Sequence, residues 1–188
     1  DPGGRLPVSL PRSVGQLPVD YRRDAVSRGE YVFTEETPLF PFGHGESYAA
    51  FRYGELSVAS DAVPTDGELT ATVTVENVAE RAGTEVVQLY AGHGGGSRVR
   101  PERELVGFRR LDLDAGESAT VTFDLPAAAF ATADTESDAG LVVDPGDVTL
   151  AVGRSSADRR ASAAVELTGG PSHPPRRRPV AAATVERP

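Results

Sequence analysis

The sequence predicts an all-β fold: an antiparallel β-sandwich with an irregular N-terminal extension and a disordered C-terminal tail. Three observations carry this. From residue 54 onward, apolar and polar residues alternate with period 2 in a series of short runs. Turn-forming residues punctuate these runs roughly every 8–12 residues, the spacing of sandwich strands. Before residue 54 and after residue 168 the alternation is absent and proline accumulates.

Residues 1–21 read as an irregular, Pro-punctuated stretch with one short strand over residues 5–10. Such a stretch cannot bury a core by itself and is anchored only if it packs on the strands beyond it. Residues 22–37 are polar loop. Residues 38–51 read Pro-Leu-Phe-Pro-Phe-Gly-His-Gly-Glu-Ser-Tyr-Ala-Ala-Phe. Two prolines exclude a helix or central strand over 38–41, and Gly43 and Gly45 permit a sharp turn around His44. Phe40, Phe42, Tyr48 and Phe51 crowd this stretch in a chain that is only 6% aromatic. The rings need a surface, each with roughly 150–250 Å² to remove from water. Phe40, Pro41, Phe42, Gly43, His44, Gly45, Ser47, Tyr48 and Phe51 are therefore the candidate structural clasp between two units.

The strands come in order. Residues 55–60 form a short strand, and Asp66-Gly67 a turn. Leu69, Ala71, Val73 and Val75 alternate with Thr70, Thr72 and Thr74, as in a half-buried antiparallel strand. Residues 77–83 are loop. Residues 84–90 are a strand with Val87 and Leu89 on one face and Val86, Gln88 and Tyr90 on the other. Gly92–Gly96 is expected to be a flexible connector, with His93 in it rather than in an anion cradle. Residues 103–113 are strand-like and broken at Gly107, as by a bulge. Asp114-Ala115-Gly116 is a tight turn. Ala119, Val121, Phe123 and Leu125 alternate with Thr120, Thr122 and Asp124. One helical turn is expected over 126–130, with proline at its start. Residues 141–143 and 147–152 flank Asp144-Pro145-Gly146 as a hairpin-like turn, and residues 161–167 close the set. The proline- and arginine-rich residues 169–188 are expected to be disordered.

Composition excludes several functions. There is no cysteine, so disulfides and thiolate metal sites are ruled out, and the three histidines are too scattered for a zinc-ligand pattern. No apolar run is long enough to span a bilayer, and residue 1 opens neither a signal peptide nor an initiator methionine. A chain that starts mid-protein is expected, and its compartment is open. The net charge is −9. The tail carries Arg176, Arg177, Arg178 and Arg187 against Glu186, a net +3, which leaves −12 on the body. An acidic body does not suit a nucleic-acid backbone. All 19 basic residues are arginine. The Arg100, Glu102, Arg103 and Glu104 cluster reads as a solvated salt-bridge patch. His44 reads as a structural histidine bonded to nearby backbone.

Residues 38–48 resemble the "PLFPFG-x-G-L-S-Y" segment of family 3 glycoside hydrolases, the β-glucosidases and β-xylosidases. GRLPVSLP (4–11), RSVGQLPVDY (12–21) and SRGEYVF (27–33) resemble the stretch before it. EVVQLY (85–90), RPERELVGFR (100–109), AGESATVTFDL (115–125) and VDPGDVTLAVG (143–153) resemble the fibronectin type III-like domain after it. Glu46 stands where the family pattern has leucine. The resemblance covers residues 1–167 and implies four parts: a remnant of an α/β-sandwich domain over 1–25, a linker clasp over 26–53, a fibronectin type III/immunoglobulin-like domain over 54–168 and a tail over 169–188. Family members use a nucleophile from a (β/α)₈ barrel and an acid/base usually from the α/β-sandwich domain, both upstream of this chain. The resemblance thus implies a chain inactive alone, without catalytic residues, cofactor or metal, that braces the catalytic domains of a family 3 glycosidase in cis or in trans. A free-standing carbohydrate- or surface-binding module, or the completing subunit of a split glycosidase, are the alternatives. Neither a nucleic-acid nor a membrane partner is expected.

Overall fold

The fold is described from a computed structural model, over residues 1–22, 35, 37–94, 100–134, 140–178 and 180–187. In chain order the strands are β1 (Phe51–Tyr53), β2 (Ser57–Val58), β3 (Ala62–Pro64), β4 (Glu68–Asn77), β5 (Gly83–His93) and β6 (Glu104–Leu113). They continue as β7 (Ser118–Pro126), β8 (Thr132–Ala133), β9 (Leu141–Val142), β10 (Gly146–Gly153), β11 (Arg159–Thr168) and β12 (Ala182–Glu186). One sheet has the order β1-β4-β7-β12, with β2 also on β4. The other has the order β3-β11-β10-β5-β6, and β8 and β9 form a separate ribbon.

The two main sheets bury the apolar set that period 2 marks out. Leu69, Ala71, Val73 and Val75 of β4 and Ala119, Val121, Phe123 and Leu125 of β7 face Val87 and Leu89 of β5 and Val148, Leu150 and Val152 of β10. The opposite face of β4 and β7 is hydroxylic. Thr72 lies across from Thr122, and Thr74 across from Thr120, with hydroxyl pairs at 3.2 and 2.9 Å. Thr70 donates to Asp124 at 2.8 Å. Such cross-strand pairs lock the register, since a slip by one residue would turn the valines to solvent.

Gly107 marks the expected bulge. Leu89 pairs with Gly107 and Tyr90 with Leu105, so Val106 is the extra residue. A Cβ at Gly107 would lie 3.0 Å from Ala181 and 3.2 Å from the Phe123 ring. The helical turn is a 3-10 turn, Ala127–Phe130. Asn77, fully buried, donates to the carbonyls of Arg81, Leu113 and Asp114 and accepts from the Ala79 N–H. It ties the loop after β4 to the β6–β7 turn.

Four expectations are corrected. The sheets are antiparallel except for β3, which runs parallel to the end of β11. Asp144-Pro145-Gly146 is no hairpin: β9 pairs with β8, and Val143 bridges Ser172. Gly92 and His93 continue β5 opposite Thr149 and Val148, because β10 extends far enough to pair with them; residues 95–99 lie outside the described residues. The tail does not lack structure. Its strand β12 pairs with β7, and Ala181 donates to the Val106 carbonyl, so the tail spans from one sheet to the edge of the other. Local composition gave no sign of this, since the partners are an open strand edge and a bulge far away in sequence.

Candidate functional site

β5 lies between β10 and β6 and is buried on both faces. Its inner face meets the other sheet. Its outer face carries Gln88 and Tyr90, and these are covered by residues 1–22 and 37–48.

The cover is built from the backbone up. Residues 6–10 run beside 39–44: Leu6 donates to the His44 carbonyl, Gly43 to Leu6, Leu10 to Phe40 and Leu39 to Leu10. Proline on both segments rules out a regular ladder, so the pairing is irregular. Pro41 to His44 close a turn through a 3.1 Å bond, with Gly43 at φ 81°. The turn presses directly on β5. A Cβ on Gly43 would sit 2.1 Å from Gln88 Oε1 and 2.8 Å from the Tyr90 hydroxyl. In the space that glycine leaves, Tyr90 donates to Gln88 Oε1 at 2.6 Å, and Gln88 Nε2 donates to the carbonyls of Gly43 and Arg154. Burial, then the neighbouring Tyr21, push the Tyr90 phenol well above its ordinary pKa, so it stays a donor. Phe42 stacks on Tyr21, and Tyr21 meets Tyr90 edge-on. Phe42 N–H donates to Ser9, its carbonyl accepts from Ser156, and the Tyr21 hydroxyl accepts from the Leu105 N–H.

A buried ion cluster closes one end. Glu85 shares its strand side with Val87 and Leu89 and is fully buried. Arg5, itself only 8% exposed, reaches it at 2.5 Å, and Arg154 at 3.1 Å. A buried carboxylate is tolerated only when paired in this way. Beside it, the Tyr53 phenol is pushed well above its ordinary pKa, by burial first and the Glu85 charge second. Asp1 ties residues 47 and 48 to β5. Its carboxylate accepts from the Ser47 hydroxyl and from the N–H groups of Tyr48 and Thr84.

The residues expected to form the clasp divide by what they touch. Phe51 enters the core at 7% exposed, Gly43 meets β5, and Phe42 reaches it through the Tyr21 ring. Gly45 lets the chain pass close to Gly4: a Cβ there would lie 2.2 Å from the Gly4 carbonyl oxygen. Phe40 stacks on the His44 ring. His44 Nε2 lies 3.2 Å from a Glu46 carboxylate oxygen, and Glu46 itself faces solvent. Solvent exposure explains how a carboxylate fits where the family pattern has leucine. Tyr48 is 72% exposed and buries no ring here. The charge patch at 100–104 is also more buried than expected: Arg100 is 6% exposed at its side chain and pairs with Asp144 at 3.0 Å. Sequence reasoning missed Asp1, Arg5, Tyr21, Glu85 and Arg154. A charged residue at an inward position of an alternating strand was the available signal for Glu85.

Among the described residues, no group of three or more His, Asp or Glu side chains is placed to hold a metal ion. Among the same residues, no helix is long and apolar enough to cross a membrane.

This is a β-sandwich of the fibronectin type III-like class, and residues 85–156 match the fibronectin type III-like domain model. The chain is 41% identical over 160 residues to a β-xylosidase of Formosa agariphila, covering 83% of this chain and 22% of that protein. It is 35% identical over 170 residues to the periplasmic β-glucosidase of Salmonella typhimurium, covering 84% of this chain and 22% of that one. The solved β-glucosidase of Erythrobacter marinus superposes with a TM-score of 0.82 at 37% identity, over 88% of this chain and 22% of the other. The chain belongs to the family 3 glycoside hydrolases, as the part of them that carries the fibronectin type III-like domain. It spans about a fifth of the length of these relatives.

Proposed function

We propose that the chain is the non-catalytic part of a family 3 β-glycosidase and braces the catalytic domains of that enzyme. The observation that carries this reading is the covered outer face of β5. The seam among Tyr21, Phe42, Gly43, Gln88 and Tyr90 fixes residues 1–22 and the clasp on the sandwich. The same segments hold Val8, Val14, Leu17 and Leu39 outward, each at least half exposed. Apolar side chains carried on a rigidly anchored strip suit a covering protein surface. On this reading residues 1–25 complete an α/β-sandwich domain, residues 26–53 are the interdomain clasp and residues 54–168 are the brace. The names of the relatives point to β-linked xylosides and glucosides as substrates of the assembled enzyme. The carboxylates of this chain perform no hydrolysis alone.

The test is reconstitution. The purified chain is mixed with an upstream family 3 polypeptide from the same source, and hydrolysis of aryl-β-glucosides and aryl-β-xylosides is followed. Activity only in the mixture supports bracing and shows that it works in trans. Hydrolysis by the chain alone defeats the reading. Absence of a complex, together with retention of the chain on a native gel containing soluble glucan, would instead establish a free-standing carbohydrate-binding module.

A further inference from the structure

Away from the seam, a small cavity of about 100 Å³ lies where β5, β6, the 3-10 turn and the tail converge. Arg22, His93, Arg100, Glu104, Phe130 and Arg177 line it. The charges at Glu104 do not balance. Arg22 binds one oxygen of Glu104 and Arg177 binds the other, so two guanidiniums share one carboxylate.

The polar groups in the wall do not balance either. His93 is 8% exposed, with its ring tilted against Phe130 at 5.8 Å. Its ring reaches the Asp144 backbone without good hydrogen-bond geometry, and among the described residues the Thr132 hydroxyl in the same wall has no hydrogen-bond partner. Buried polar atoms are seldom left so, and two such side chains in one cavity point to a polar occupant. Burial, then the Arg100 charge, hold the His93 pKa down to about 4. The neutral ring therefore offers one N–H donor and one acceptor.

The geometry points to a binding site for a small monovalent carboxylate of acetate size, received by Arg22 and Arg177 and hydrogen-bonded by His93 and Thr132. The volume equals roughly three water molecules at about 30 Å³ each, enough for such an ion. Guanidinium forks match the planar carboxylate geometry, and a second carboxylate would give Arg22 and Arg177 one partner each.

The chain holds three histidines, so their imidazole NMR signals report site and fold together. The isotope-labelled full chain is titrated at neutral pH with sodium acetate, and separately with sodium chloride, each against sodium fluoride at constant ionic strength. The expected result is a saturable displacement of the His93 signals by acetate, with those of His44 and His173 unmoved. Arg22→Gln and Arg177→Gln are each expected to weaken binding about tenfold, the loss of one charge-assisted contact. Arg22 is nearly half exposed, so its variant carries the test if Arg177→Gln loses the fold. The assignment is overturned if His93 shows no saturable response, as a cavity holding only water would. It is equally overturned if chloride acts as well as acetate, if all three histidines move together, or if a folded arginine variant binds as the parent does.

Discussion

The Tyr21 ring lies on the Phe42 ring with centroids 4.1 Å apart and planes inclined by 15°. This contact joins the N-terminal extension to the clasp, and Tyr90 supports it edge-on from the sandwich at 6.2 Å. Stacked pairs contribute about 0.5–1.5 kcal/mol beyond area burial. Phe42→Ala and Tyr21→Ala are expected to destabilise the chain non-additively, with a coupling of about 1 kcal/mol in a urea double-mutant cycle. Strict additivity would mean that the rings do not hold the seam.

Gly43 and Gly116 separate space from backbone conformation. Both have positive φ, 81° and 74°. A Cβ at Gly116 meets nothing within 4 Å, whereas one at Gly43 meets Gln88 Oε1 at 2.1 Å. Gly116→Ala is expected to cost about 1–2 kcal/mol, from conformation alone. Gly43→Ala adds disruption of the Gln88–Tyr90 pair and should lower Tm clearly further. Equal losses in thermal unfolding would contradict the close approach.

Glu85 neutralises Arg5, which water barely reaches, and Arg154, whose side chain is 24% exposed. Its replacement by alanine leaves Arg5 and Arg154 without their counter-charge, and a loss of about 3–5 kcal/mol is expected. The exposed Arg52–Glu76 pair is the control. Removing Glu76 should cost no more than about 1 kcal/mol. Chemical denaturation of both variants decides, and a small effect at Glu85 would show that the cluster is dispensable.

His93 makes stability depend on pH. Its folded pKa of about 4 lies below the ordinary 6.5. Between these values the unfolded chain binds a proton at this residue that the folded chain does not. Its contribution is therefore complete above pH of about 6.5, falls as the pH drops, and is gone below about 4. The span corresponds to about 3 kcal/mol at most. Unfolding free energies from pH 7 to 4 should fall less steeply in His93→Gln than in the parent. Parallel curves would remove His93 as the cause.

A chain ended at Thr168 loses β12, the Ala181 contact with Val106 and the Arg177–Glu104 pair. Roughly 2 kcal/mol of stability should go with the burial of Ala181 and its neighbours. Hydrogen exchange should quicken along the β7 edge. Unchanged protection there would mean that the tail does not pair.

The sequence by itself determined the sandwich. Period-2 alternation at Leu69–Val75 and Ala119–Leu125 admits one buried face, and Asp66-Gly67 and Asp114-Ala115-Gly116 leave the chain little choice but to turn. The ordered motifs from residue 4 to 153 carried the family, and the ring-rich Pro/Gly turn marked a stretch in need of a surface. The tertiary structure decided what lies against that stretch. Glu85 became a buried ion because Arg5, eighty residues away, reaches it, and Gly43 became indispensable because Gln88 and Tyr90 occupy the space of its missing side chain. The tail's strand and the charge around His93 were decided in the same way. These features depend on pairings between distant segments, whose energies arise only once the chain has closed, and no local pattern of residue types encodes them.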